Sequence, residues 1–450
     1  MSFSDKSSAL DLASMLVERA RHAGAEAAEV LVAESASLSV SWRLGKLEDV
    51  ERSEGRDIGL RVFIGKKQAT VSSTDTSEAA LQPMIERAVA MARAAPEDPW
   101  CGLADKALLA RDWPDLDIED KTPSLSAEEL AALAAEAEEA ALAVKGVTNS
   151  GGASAGTGRS TATLVTSAGF AGTYAGTSSS FSCSVLAGEG TAMERDYDYS
   201  SMRHKADLER PAEIGRRAGE KAVRRLHPRK VSSQAVPVVY DPRVSGGLIG
   251  HFAGAISGSA IARGTSFLKK AMGQRIFPES ISIVDDPHMK RGLRSKPFDG
   301  EGVANRRMTL VENGVLTTWL LDTATARQLG LQSTGHAARG TGGPPSPSTT
   351  NLYMEAGCLT VKELIADIRS GLYITELIGM GVNGVTGDYS RGASGFWIEN
   401  GEIAYPVSEI TVAGNLKDMF LNMTPADDLE FRYGTNAPTI RVEGMTIAGT

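Results

Sequence analysis

The sequence predicts an α+β fold: a helix-flanked antiparallel N-terminal region of two similar units, followed by a larger β-rich C-terminal domain. Three observations predict it. A helix–strands–helix order occurs twice in the first half. The second half carries Asn-Gly pairs at Asn313-Gly314 and Asn400-Gly401 between apolar runs, and such pairs suit the type I′ hairpin turn, whose two central residues need positive φ. The chain has 450 residues, more than one hydrophobic core sustains. The expected division is 1–115, 116–230 and 231–450, with the first two units allowed to share one domain.

Each element has a local reason. Leu12, Leu16 and Ala20 share one face of a helix over Ala9–Ala23, and Gly24 can stop it in the left-handed region. Ser37–Trp42 and Ile58–Ile64 alternate as strands do. A second helix spans Glu78–Ala94, with Pro83 near its start, and Pro96 ends it. A linker then runs to about Ser124. Ser126 and Glu129 form a capping box for a helix that stops at Lys145-Gly146. Strands are expected at Thr161–Ser167 and Gly172–Gly188, and a helix over Pro211–Leu226. Beyond these lie a short buried strand, Val236–Tyr240, a helix rich in small residues over Gly246–Leu268, and a short helix over Val361–Ser370.

Composition excludes several classes. The net charge is −9, which argues against a nucleic-acid or membrane-surface role. The one basic stretch, Arg203–Lys230, lacks interleaved aromatic residues and reads as the solvated face of a helix. Cys101, Cys183 and Cys358 are far apart and form no Cys-x-x-Cys pair, so neither a disulfide framework nor a cysteine zinc cluster is expected. No apolar run of membrane-spanning length exists, and none precedes the first charges as a secretory leader would. A cytoplasmic protein is expected.

The candidate sites each have a plain alternative. His251 stands on the small-residue helix, but one turn away are Gly247 and Ala255, with Ile256 beyond, and the next residue is Phe252. Nothing on that helix can share a metal with it, so a packed histidine is the simpler reading. His251, His288 and His336 could hold a metal only by converging in space. The loop Gly335–Thr350 has no Gly-Lys-Ser/Thr and is no phosphate cradle; it is either a flexible surface loop or a lid. No Gly-x-Ser-x-Gly elbow is present, and a triad assembled across the fold stays open. Asp388, Tyr389, Ser390 and Arg391 sit in a glycine-flanked turn, held by an Asp388–Arg391 bridge or presented for recognition.

Four stretches carry a resemblance. They are GHFAGAISG…GTSFL (Gly250–Leu268), DPH…GLRSKPFDGEG (Asp286–Gly302), NGVLTTWLLDTATARQLGLQSTGHA (Asn313–Ala337) and TGDYSRGASGFWIENGEIAYPVSEITVAGNLKDM (Thr386–Met419). With the looser GKLEDVERSEGRDIGLRVFIGKKQATVSSTD (Gly45–Asp75), the chain resembles the TldD/PmbA (TldE) metallopeptidase family, in its PmbA/TldE branch. The resemblance implies two related chains that pair and cleave unstructured or modified peptides. The TldD-type chain holds zinc with a His-Glu-x-x-x-His helix and a C-terminal cysteine, the Glu acting as general base.

This sequence departs from that pattern at the metal. Its corresponding helix is Gly246–Leu268, it contains no His-Glu-x-x-x-His, and Gly434–Thr450 has no cysteine. The resemblance therefore implies no catalytic or metal residue here, zinc on a TldD-type partner, and a heterodimer or larger assembly. An independent metallopeptidase with metal on dispersed histidines is one alternative, and a peptide-binding module without a peptidase is another. Asp388, Tyr389, Ser390 and Arg391 are the expected substrate-binding residues, with His251 and His336 at a cavity or interface. Backbone pairing at an exposed strand edge near Asp388–Arg391 would hold varied peptides.

Overall fold

β1 (Ala27–Arg43) and β2 (Lys46–Ile64) form one long hairpin around Leu44-Gly45, where both residues have positive φ, 49° and 74°. The computed structural model describes residues 6–449; the start of the N-terminal stretch read for a leader lies outside the described residues. α1 (Lys6–His22) precedes this hairpin, and β3 (Lys67–Ser73) and α2 (Glu78–Ala94) follow it. The second unit is α3 (Ala127–Leu142), β4 (Val147–Thr166), β5 (Ala171–Ala187), β6 (Glu194–Met202) and α4 (Pro211–Arg224). The Ser126–Glu129 capping box is present in full.

The two units share one antiparallel sheet, in the order β3-β2-β1-β4-β5-β6. β1 joins them, pairing with β4 from Glu29↔Thr166 to Trp42↔Ala153. Side chains alternate across a strand. Val30 and Val32 of β1 pack under α1 and α2 with Leu16 and Ile85, and Val40 packs under α3 and α4 with Leu130 and Ile214. Leu31 points to the opposite face, where it packs with Leu164 and Phe170 of the N-terminal half and with Phe298 of the C-terminal half. Helices cover one face of the sheet, and the C-terminal half covers part of the other.

Sequence periodicity missed β6 entirely. Asp196, Asp198 and Ser200 are its inward side chains, each no more than 3% exposed. Arginines satisfy the acids: Arg217 reaches Asp198 at 2.7 Å, and Arg243 reaches Asp196 at 2.6 Å. The basic stretch is therefore a solvated face only in part: Arg210, Arg216 and Arg224 are exposed. Arg217, Lys221 and Arg225 are ion-paired, and Arg224 lies over the Phe396 ring.

The C-terminal half opens with β7 (Gln234–Tyr240), α5 (Pro242–Ala255) and α6 (Gly258–Ala262). The expected single helix over Gly246–Leu268 is thus two, starting earlier and ending sooner. The break has a cause: Ile256 and Gly258 exchange backbone hydrogen bonds with Leu320, at 3.1 and 2.8 Å, and a helix cannot supply those groups at once. β8 (Ile283–Asp286), β9 (Met308–Glu312) and β10 (Val315–Leu316) come next, the last two turning at Asn313-Gly314 as expected. α7 (Thr323–Leu329), β11 (Ala337–Ala338), β12 (Ser346–Pro347) and β13 (Asn351–Met354) follow. The chain closes with α8 (Val361–Ile365), β14 (Ser370–Val382), β15 (Asp388–Glu399), β16 (Glu402–Asn415), α9 (Leu416–Leu421), β17 (Met423–Pro425), β18 (Thr435–Asn436) and β19 (Ile440–Ala448).

The larger C-terminal sheet runs β16-β15-β14-β7-β19-β17, and β16 pairs again with β19 at Thr411–Ala413, which curls the sheet towards a barrel. Leu248, Ile249 and Phe252 of α5 belong to its core. A second sheet, β10-β9-β8-β13-β18, lies beside it.

Two expected loops are tied down. The linker after α2 accepts and donates backbone hydrogen bonds to the C-terminal half: Ala110 to Gly302, Ala304 to Leu108 and Arg291 to Leu116, each at 2.9 Å. The Gly335–Thr350 loop is irregular apart from β11 and β12, yet His336, Ala337 and Thr350 in it are buried. It lies on the N-terminal sheet, where a Cβ on Gly59 would come within 2.4 Å of the Thr341 carbonyl oxygen. The flexible-loop reading is thereby corrected. Among the described residues, no helix is long and apolar enough to cross a membrane.

Candidate functional site

α5 places His251 against β15. Asp241 caps the helix by accepting from the Arg243 amide at 3.0 Å, and the Tyr373 hydroxyl donates to its other oxygen at 2.9 Å. Phe252, fully buried, fixes the rotation of the helix. The His251 ring then meets the edge of Tyr389, with centroids 6.0 Å apart and planes at 77°. Burial pushes the His251 imidazole below its ordinary value, and the charge of Arg391 adds to the effect. Three of the residues singled out in the sequence thus gather: His251, Tyr389 and Arg391.

Asp388–Arg391 are not a turn. They begin β15, and the tight loop lies upstream at Asn383–Gly387, closed by the Asn383 amide on the Asp388 carbonyl at 2.8 Å. Asp388 accepts from Thr386 Oγ1 at 2.6 Å and from Asn415 Nδ2 at 3.1 Å, and these bonds hold its carboxyl below the usual range. Arg391 donates instead to the Ile378 carbonyl, at 3.3 Å. The expected Asp388–Arg391 bridge is therefore replaced by two separate attachments.

The strand edge also lies elsewhere. Asp388–Arg391 pair with β16 from Asp388↔Asn415 to Arg391↔Val412, and Tyr389 and Ser390 also pair with β14. The backbone there has little left to offer a peptide. β14 differs: it pairs with β7 only at Leu372–Ile374, and from Glu376 onward with β15 alone. That outer half carries Ile378, 60% exposed, and Met380, 91% exposed. An open groove beside it is lined by Met380–Gly384 and by Asp388, Tyr389 and Ser390.

The remaining histidines belong to other networks. His336 sits 3.3 Å from Asp285 and 2.9 Å from the Thr334 hydroxyl, and Thr350 donates twice to the same Asp285. His288 pairs with Asn305 at 2.8 Å. Among the described residues, no group of three or more His, Cys, Asp or Glu side chains is placed to hold a metal.

Sequence reasoning passed over a buried pair of acids in the FDGEG stretch. Asp299 accepts from the amides of Glu301, Val303 and Ala337, and Glu301 accepts from the Thr323 amide and hydroxyl at 2.8 and 2.6 Å. Burial raises both, and with Asp299 beside it Glu301 is pushed up to about 8. Their contacts are to backbone and threonine, which ties the His336 loop and the start of α7 to the core. The sequence held one signal, two acids between glycines, and it does not distinguish a buried pair from an exposed turn.

Zinc does not fit α5. A catalytic zinc needs three protein ligands. His251 has Gly247 and Ala255 one turn away, and the Arg391 guanidinium that depresses it would also repel a second cation.

Comparison with known proteins places this geometry. The three domains of the PmbA/TldA metallopeptidases match residues 28–92, 120–226 and 233–449. The chain is 41% identical to the Escherichia coli O157:H7 protein named Metalloprotease PmbA, over 94% of this chain and 92% of that one. The chain belongs to the PmbA/TldD metallopeptidase family. A Haemophilus influenzae PmbA homolog is also 41% identical, over 97% of this chain and 95% of its own. Crystalline TldE from Thermococcus kodakarensis has the same fold, with a TM-score of 0.86 at 21% identity, covering 97% of this chain and 100% of its own. The PmbA/TldD family includes chains named TldD as well as TldE, and α5 is the element on which this member bears a lone histidine.

Proposed function

We propose that this chain is the non-catalytic half of a two-chain zinc peptidase. Its partner is a TldD-type paralogue whose His-Glu-x-x-x-His helix holds the zinc, and the substrates are unstructured or modified peptides in the cytoplasm. One observation carries the reading. α5 keeps its cap and packing, yet it bears His251 alone, and the residue beside it, where a general base would stand, is Phe252 locked in the core.

The chain's own contribution is to hold substrate. A peptide of any sequence can add as a strand to the outer edge of β14 at Glu376–Val382, bonding main chain to main chain. Ile378 and Met380 offer apolar contact along it, and Asp388, Tyr389 and Ser390 line the groove beside it. Arg391 supports this edge through the Ile378 carbonyl.

Mixing tests the reading. The tag-free chain alone is expected to carry no stoichiometric zinc and to cleave no unfolded peptide, and adding a His-Glu-x-x-x-His paralogue restores cleavage with zinc on that partner. His251→Ala should leave the zinc content unchanged. One zinc per isolated chain, lost on substituting His251, His288 or His336, would sink the proposal in favour of an independent hydrolase.

A further inference from the structure

A second cavity, of about 370 Å³, lies between the N-terminal sheet and the C-terminal half, away from the β14 edge. Ser160 and Tyr174, from β4 and β5, form one wall. Arg294 and Lys296, with Ser348 and Thr349 from the end of the glycine loop, form the other, and Arg203 closes it. Three cations and several hydroxyls line this space, and no carboxylate does.

Among the described residues, none of the three cations forms an ion pair. Arg203 donates to the carbonyls of Gly292 and Thr177, each at 3.2 Å, and to that of Leu293. These bonds fix the guanidinium, but neutral carbonyls do not cancel it. Burial accordingly lowers Arg203 from its ordinary value. Among the described residues, Arg294 makes no side-chain ion pair or hydrogen bond, and Lys296 has no acid within ion-pair distance. Asp299 and Asp285 attract Lys296 from behind, but their oxygens already accept from Ala337, Thr350 and other groups. Burial is the larger influence and pulls Lys296 down.

Arg203 and Lys296 are partly buried, which makes an unpaired charge on them costly, while Arg294 stands exposed at the rim. In a chain of net charge −9, three cations facing one polar cavity call for a counter-charge from outside. We propose that this cavity binds a small, doubly charged oxyanion of the phosphate or phosphate-monoester class. Two arginines and a lysine offer charged donors from several directions, and the hydroxyls of Ser160, Tyr174 and Thr349 offer neutral ones, a set suited to a tetrahedral dianion. A lone carboxylate would leave most of the charge unmet. Because the walls come from both halves, the bound anion would also hold them together.

Calorimetric titration of the full chain tests this, with inorganic phosphate and with phenyl phosphate, each at constant ionic strength set by chloride. Saturable binding of one anion per chain is expected, weakened at least tenfold by Arg294→Gln and by Lys296→Met. Arg294 is at the exposed rim, so its variant should fold, and circular dichroism checks both. Tighter binding of inorganic phosphate identifies the free ion as the ligand, and tighter binding of the ester identifies a phosphorylated metabolite or side chain. The proposal is overturned if neither binds the unmodified chain at millimolar concentration, or if Arg294→Gln and Lys296→Met, both folded, bind as the unmodified chain does.

Discussion

Arg339 of the glycine loop and Glu29 of β1 form an ion pair at 2.5 Å, with side chains 1% and 2% exposed. Glu29 also pairs with Arg61 at 3.0 Å, so one carboxylate answers two buried guanidiniums. Arg339 Nε and Nη2 have no hydrogen-bond partner among the described residues. The loop is thus held to the sheet by an interaction that fails badly when one member is lost.

Glu29→Gln should therefore destabilise the chain by about 3–5 kcal/mol, the usual result of stranding a buried charge rather than of removing a pair. A lower midpoint in urea, with the loop newly open to proteases, is the expected pair of readouts. An unchanged midpoint would mean that water reaches Arg339 and answers its charge.

Limited proteolysis should first cut the β14–β15 arm, at Ile378–Val385, where Ile378, Met380 and Val385 are all more than half exposed. The linker at 95–124 and the loop at 335–350 should outlast it, because backbone bonds and burial hold both. Mass spectrometry of early fragments decides the order, and first cuts in either of those stretches would contradict this packing.

Stability should fall as pH rises from 6 to 8.5. An unfolded glutamate loses its proton near pH ~4.3. Folded Glu301 keeps it up to about 8, so between these values the folded state binds the extra proton and is weakened as pH climbs. Asp299, raised by burial only to about 6, makes its contribution below this window. Glu301→Gln can still accept from Thr323 and should flatten the dependence. Thermal midpoints at both pH values are the measurement, and a parallel pH dependence in the two chains would remove Glu301 from the account.

Ile378→Asp together with Met380→Asp should lower peptide turnover by the proposed two-chain enzyme at least tenfold, mostly through KM, and leave the fold intact. Both side chains are exposed, so their loss costs little packing. The reading of β14 as the peptide edge fails if turnover persists while the two chains still assemble.

Elements set by neighbours in sequence were legible. The α2 boundaries, the Ser126–Glu129 cap and both Asn-Gly turns came out as their local chemistry requires. The candidate site was legible only in part. Tyr389 does meet His251, and the charge of Arg391 reaches it, but both are strand residues whose backbone is already paired. His336 belongs to Asp285, and no spacing in the sequence announces that pair.

By itself the sequence determined the α+β class, the helix caps, the hairpin turns and a small-residue helix without metal spacing, because each depends on residues a few positions apart. Only the tertiary structure decided that β6 is a strand, that α5 ends at Ala255, that the glycine loop is tied down on the sheet and that three cations share a cavity. Those outcomes rest on Arg217 meeting Asp198, Leu320 bonding Ile256, Arg339 meeting Glu29, and Arg203 facing Lys296. Charge and backbone hydrogen bonds act across any distance in sequence, and a polar residue reads as exposed until its distant partner is in place.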